Sequence, residues 1–229
     1  MHAAHILFTQ GFGTRRVCAG LIEQGLVTVD GQVLHDPLQA LLPDGLVLHV
    51  QGQPWPVVAQ ATVLLNKPAG YECSQKPRHH PSVMTLLPAP LRTRGVQPVG
   101  RLDEDTTGVL LLTQDGKLIH RWTSPKHHLP KVYEVTTKHA VSAELLAALR
   151  DGVKLDDEPL PLRAEGAQAT GENTLRLTLV EGKYHQVKRM VAAAGNRVEA
   201  LHRSSFGNVH LPPDLKPGQW CWVDASTVG

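Results

Sequence analysis

Residues 100–113 read GRLDEDTTGVLLLT. Asp103, Glu104 and Asp105 stand directly ahead of an apolar run that begins at Gly108 and ends near Asp115-Gly116. A short continuous apolar run closed by a turn pair predicts a buried strand. Three carboxylates at the mouth of such a strand suit either an exposed acidic turn or a reactive site. One carboxylate beside Arg101 can serve as nucleophile or general base. A pair can cleave glycosidic or phosphodiester bonds, and oxygen ligands also suit magnesium. Spacing does not separate these chemistries.

Outward from this stretch, the chain reads as an α+β protein. On the N-terminal side, ATVLLNKPAGY (61–71) is a buried strand running into a Pro-Gly turn. On the C-terminal side, VYEVTT (132–137) and TLRLTLVEG (174–182) alternate as strands do. SAELLAALRDG (142–152) is a helix with a serine cap and a glycine stop. QVKRMVAAAG (186–195) is a second helix, with Val187, Met190, Val191 and Ala194 on its buried face and Lys188 and Arg189 off that stripe. The first sixty residues form a smaller pattern. A helix over Arg15–Gly25 leads into a hairpin turning at Asp30-Gly31, and a further strand covers Leu46–Val50. GQPWPVVAQ (52–60), with its prolines, reads as a linker. The expected division is 1–58 and 59–229.

The 229 residues carry 23 Lys and Arg against 21 Asp and Glu, a net charge of +2 that excludes a strongly basic coat protein. That charge is uneven. Residues 1–60 hold two basic and four acidic side chains, whereas 76–131 hold nine basic and four acidic, and 183–203 hold five and one. The acidic stretch 144–181 lies between them, with eight acidic and four basic. Such blocks are either alternating solvated faces or a basic cleft for a polyanion. No apolar run approaches the roughly 18 residues of a membrane span, and the N-terminus lacks a leader pattern. Cys18, Cys73 and Cys221 show no paired spacing, so they read as reduced thiols of a cytoplasmic protein.

Thirteen histidines invite a metal reading, but no HExxH and no Cys/His quartet is present, so no metal is expected. GxGxxG and Walker loops are also missing, so no nucleotide cofactor is expected. A buried carboxylate at Asp103 needs a cation to stay ionised, and Lys188 or Arg189 at the start of the later helix can supply it. Tyr133 offers a flat face behind a basic segment.

Four segments carry a resemblance: LLNKPAGYECS (64–74), GRLDEDTTGVLLLT (100–113), SPKHHLPKVYEVT (124–136) and EGKYHQVKRMVAAAGNRVEALHR (181–203). In this order they resemble the pseudouridine synthase family of the ribosomal small-subunit enzyme A type. TRRVCAGLIEQGLVTVDGQVL (14–34) is similar to the S4 RNA-binding domain that precedes the catalytic domain there. The resemblance implies a small S4-like domain followed by a mixed, largely antiparallel sheet domain with a central cleft. It implies that Asp103 is the nucleophile, that Tyr133 stacks on the target base and that Lys188 is the aspartate's basic partner. Arg101, Lys67, Arg121, His185, Gln186 and Arg189 are then expected to bind substrate, together with Arg15 and Arg16 in the first domain. The family's S4 segment opens with an Arg-Leu-Asp-Lys type sequence where this chain has His2-Ala3-Ala4-His5, so the domain either guides placement without supplying affinity or has Arg15 and Arg16 as its only RNA-facing patch.

Isomerising uridine needs neither redox change nor group donor, in keeping with the missing cofactor motifs. The implied partner is 16S rRNA or a small-subunit assembly intermediate, with uridine 516 the implied target and a monomer the implied state. Large-subunit relatives tend to carry Asn-Arg where this chain has Tyr184-His185. The alternatives are a 23S rRNA synthase, an inactive assembly protein, and a metal-dependent nuclease or glycosidase using Asp103 and Asp105.

Overall fold

A computed structural model describes residues 1–229. The chain forms two compact units, Met1–Ala61 with Leu87–Gln97, and Thr62–Leu86 with Pro98–Gly229. The first unit is therefore discontinuous, which a simple division near residue 58 does not contain. No helix is long and apolar enough to cross a membrane.

The first unit begins with helix α1 (Ala3–Thr9), which the sequence pattern had not disclosed, and α2 (Arg15–Glu23). Thr14 caps α2 by accepting from the Val17 N–H. Strands β1 (Val27–Val29) and β2 (Gln32–Val33) form the hairpin expected at Asp30-Gly31, whose φ values of +49° and +77° suit a tight turn between twisted strands. β3 (Val47–Val50) and β4 (Gln53–Pro56) complete a sheet ordered β2-β1-β3-β4. The expected linker is thus partly a strand. Pro54 and Pro56 are accommodated because β4 lies at the sheet edge, where missing N–H donors cost no ladder bond. Ile6, Leu7, Cys18, Ile22, Val27 and Leu48 fill the core between helices and sheet. Helix α3 (Ala89–Thr93) belongs to this unit, and Arg94 after it donates to the Gln10 side chain at 2.6 Å and to the carbonyls of Val58 and Ala59.

The second unit is a mixed sheet. Its elements are β5 (Thr62–Lys67), β6 (Gln97–Pro98) where the chain returns, β7 (Thr107–Thr113), α4 (Gly116–Thr123), β8 (Lys131–Thr137), α5 (Ala143–Asp151), β9 (Gly166–Gly171), β10 (Thr174–Leu179), α6 (Gln186–Ala193), β11 (Val198–Phe206), β12 (Val209–His210) and β13 (Trp220–Trp222). The main strand order is β13-β5-β7-β11-β8-β10-β9. Every neighbouring pair on this path is antiparallel except β7 and β11, which run parallel.

That parallel join is short, with only His202 and Arg203 facing Thr107 and Gly108. Gly108 has φ +103°, and a Cβ there would lie 2.2 Å from the Arg203 carbonyl oxygen, so glycine alone permits the approach. β5 and β7 are buried almost throughout, as their unbroken apolar runs require. Leu64, Val109, Leu111, Trp122 and Phe206 anchor one face of the core. β7 ends just before Asp115, as expected, and Asp115 caps α4 by accepting from the Lys117 and Leu118 N–H groups. Ser142 and Gly152 bound α5 as expected. The residues 100–106 enter β7 at its join with β11, and this places the site.

Candidate active site

Lys67, the last residue of β5, is completely buried. Its ammonium donates to the carbonyls of Pro68 (3.0 Å), Glu104 (2.9 Å) and Thr106 (2.8 Å). Burial lowers its pKa, opposed by Cys73 and the carboxylates of 103–105. The expected substrate contact is therefore corrected: three donors meet three carbonyls, and none faces the cleft. Lys67 is a strut under the acidic loop. The loop is pinned again where Gly70 N–H donates to the Glu104 carbonyl at 2.9 Å and Leu102 N–H to Cys73 Sγ at 3.4 Å.

Asp103 projects from this braced loop with its side chain one-quarter exposed. Each oxygen meets a basic group from the α6 segment: Lys188 Nζ lies 3.1 Å from Oδ2, and His185 Nε2 lies 3.2 Å from Oδ1. Lys188 also grips Asp105 Oδ1 at 2.7 Å and Oδ2 at 2.9 Å. Burial alone would pull the Lys188 ammonium down, but hydrogen bonds to Asp105 and Asp103 and their charges hold it above the usual lysine value. Burial likewise favours the neutral form of Asp105, yet Lys188 keeps its carboxyl below the ordinary range. The lysine is thus a fixed cation between two carboxylates. No group of three His, Cys, Asp or Glu side chains is placed to hold a metal ion.

His185 reaches Asp103 because it stands immediately before α6 with φ +46°, its ring stacked on Tyr184 at 3.8 Å. Gln186 lines the cleft but is buried and committed elsewhere. Its oxygen accepts from Lys183 N–H at 2.9 Å and its nitrogen contacts Met190 Sδ at 3.7 Å. Arg189 turns away from Asp103, pairing with Asp157 and donating to the Tyr184 carbonyl at 3.1 Å. It is not the spare partner for Asp103 that its sequence position suggested, because successive helical residues point about 100° apart and Arg189 meets Asp157 instead. Arg121 is exposed on α4, is not among the residues that line the cleft, and lies 3.5 Å from the Gly229 carbonyl.

The cleft is lined by Arg101, Asp103, Tyr133, His185 and Lys188 together. Tyr133 is buried on β8, directly across the ladder from Arg203 on β11 and Leu177 on β10. Arg101 is exposed at the loop. Three lining residues were not singled out from sequence: Lys131, Glu181 and Arg203. A signal for the first was present, since Lys131 shares the inward face of β8 with Tyr133 and Val135. Burial draws the Lys131 ammonium down to about 8, with Arg203 nearby adding to the effect and Glu181 opposing it. In the first unit, Arg15 and Arg16 are exposed at the start of α2, and Arg15 lies 5.4 Å over the Phe8 ring.

Chemically, this is a carboxylate paired with two basic side chains in a cleft that a buried tyrosine also lines. Residues 61–193 match the family model for RNA pseudouridylate synthase, and residues 5–44 match the S4 domain. The ribosomal small subunit pseudouridine synthase A of Yersinia pestis is 40% identical over 208 residues, covering 90% of this chain and 88% of its own. An uncharacterized RNA pseudouridine synthase of Bacillus subtilis (strain 168), YtzG, is 38% identical over 224 residues, covering 96% and 93%. A crystal structure of a pseudouridylate synthase superposes with a TM-score of 0.70 at 32% identity, covering 100% of this chain and 98% of that one. The chain belongs to the RNA pseudouridylate synthase family, and with its S4 domain it is an RNA-modifying isomerase.

Proposed function

We propose that this enzyme converts one uridine of 16S rRNA, uridine 516, to pseudouridine, with Asp103 as the nucleophile. The observation that carries the catalytic part is the pairing of both Asp103 oxygens with Lys188 and His185 at a cleft lined by Tyr133. Relatives named for the ribosomal small subunit, aligned over nine-tenths of the chain, support the choice of substrate. Residues 1–58 serve as the RNA-binding module, with Arg15 and Arg16 at phosphates, and 59–229 as the catalytic domain.

The target nucleotide leaves its stack at a cost of a few kcal/mol. Stacking on Tyr133 offsets about 1–3 kcal/mol of that cost. Arg101, exposed beside Asp103, holds the extruded nucleotide. Asp103 attacks C1′ as the N1–C1′ bond breaks, and the electron pair of that bond goes to uracil. The freed base turns within the cleft, C5 displaces the carboxylate from C1′, and the C5 proton leaves while N1 takes one up, which gives pseudouridine. Lys188, 3.1 Å away, offsets the negative charge of the carboxylate whenever it is free.

Asp103→Asn keeps the size of the side chain and removes its charge. Pseudouridine formation on 16S rRNA is expected to fall more than about a thousandfold while RNA binding persists. Pseudouridine mapping of rRNA from cells with and without the protein locates the target. A normal rate for Asp103→Asn removes the nucleophile assignment, and a lost site in 23S rRNA moves the substrate.

A further inference from the structure

Beyond Asp103 the cleft holds polar groups that the isomerisation steps above leave unused. Arg203 on β11 is 3% exposed, and its Nε donates to the Val109 carbonyl at 2.8 Å. The guanidinium packs 5.2 Å from the Phe206 ring centre. Its Nη2 is buried without any hydrogen-bond partner. Glu181, just after β10, has a buried Oε2 that is also without a partner. Both residues line the same cleft as Tyr133 and Asp103. Lys131 stands near them but spends its ammonium on the carbonyls of Leu129 (3.0 Å) and Val180 (3.2 Å).

Buried donors and acceptors are nearly always satisfied, because an unmade hydrogen bond leaves the full desolvation cost standing. The orphaned donor of Arg203 and the orphaned acceptor of Glu181, in a cleft where Thr106 Oγ1 is unpartnered too, therefore point to a ligand that brings an acceptor and a donor. Tyr133, which faces Arg203 across the β8–β11 ladder, offers the ring that would hold that ligand flat. A uracil ring has this pattern along one edge: carbonyl, N3–H, carbonyl.

We propose that Arg203 and Glu181 select the base, with Arg203 Nη2 donating to a ring carbonyl and Glu181 Oε2 accepting from N3–H. The inference rests on the pseudouridine synthase reading above and adds how the site recognises its pyrimidine. Cytosine presents a lone pair at N3 and an amino group at C4, so its lone pair would face the carboxylate. The same contacts also suit the base after it has turned. Rotation about the axis through N3 and C6 exchanges N1 with C5 and one carbonyl with the other, while N3–H keeps its place. The edge read before the turn is therefore the edge read after it.

The test uses full-length protein and in vitro transcripts of 16S rRNA bearing uridine or cytidine at the mapped position. Binding is measured with an Asp103→Asn background so that no transcript is turned over. Wild-type residues at 181 and 203 should favour uridine. Glu181→Gln is nearly isosteric, and its amide can turn either an oxygen or an NH2 toward N3. It should lower the uridine-to-cytidine preference at least about tenfold, with affinity for the cytidine transcript unchanged or improved. Arg203→Lys, checked for folding by its thermal melt, should weaken uridine binding and leave cytidine binding less affected. An unaltered preference in Glu181→Gln overturns the proposal. If the enzyme with intact Asp103 forms no pseudouridine in the uridine transcript, the functional reading itself fails, and this inference falls with it.

Discussion

Lys67 illustrates how one side chain can matter to a reaction it never touches. A buried ammonium is costly unless its charge and all its donors are matched, and here three carbonyls do the matching. Two of them, from Glu104 and Thr106, belong to the loop directly after Asp103. Lys67→Met would take the donor from the Pro68 and Thr106 carbonyls and leave the Glu104 carbonyl only the Gly70 N–H. Unfolding in urea is expected to show a loss of about 2–4 kcal/mol, with activity falling further because Asp103 loses its support. At this scale the sequence was informative about Asp103, Lys188 and Tyr133 as candidates, since carboxylate, cation and aromatic announce their chemistry. It was silent on the pairing of Lys188 with Asp105, 83 residues apart, and on the commitment of Lys67, 37 and 39 residues from its carbonyl partners. Both depend on which strands become neighbours. Arg189 shows the same blindness: one step along α6 from Lys188, it is turned away by helical geometry toward Asp157.

Segments between strands carry the next level of organisation. Glu72 folds the stretch that follows it by accepting from three backbone N–H groups, those of His79 (2.8 Å), His80 (2.9 Å) and Arg78 (3.1 Å). The hydrogen bonds from His79, His80 and Arg78 draw its carboxyl down to about 2. A carboxylate with a depressed folded value stabilises fully above its unfolded value of about 4.3 and loses that effect as the pH falls toward 2. Glu72→Gln should therefore be less stable than the wild type at pH 7, with the gap closing between about pH 4.3 and 2 in urea titrations. Legibility at this scale followed local rules. The α6 helix was readable because Val187, Met190 and Val191 keep helical spacing and are buried. β4 was hidden by prolines that only an edge strand tolerates. α4 was hidden because Asp-Gly serves equally as a turn and as a helix start.

Across the whole molecule, charge is local. The net of +2 averages an acidic S4-bearing segment, an acidic stretch and two basic segments that carry Arg101, Lys131, Lys188 and Arg203. RNA affinity should accordingly fall only moderately with salt. Arg15→Ala with Arg16→Ala should flatten the plot of log affinity against log salt by roughly 0.7 for each phosphate contact removed, measured by titration of a 16S transcript. An unchanged slope would place the phosphate contacts elsewhere. The discontinuity of the first unit has a consequence for synthesis. Arg94 ties Gln10 to the carbonyls of Val58 and Ala59, and it is made only after the chain has already entered β5. On the ribosome, the leading unit cannot close its last contacts when its own sixty residues emerge. It must wait for the returning segment, so a nascent chain halted before residue 94 should carry an open, protease-sensitive N-terminal unit.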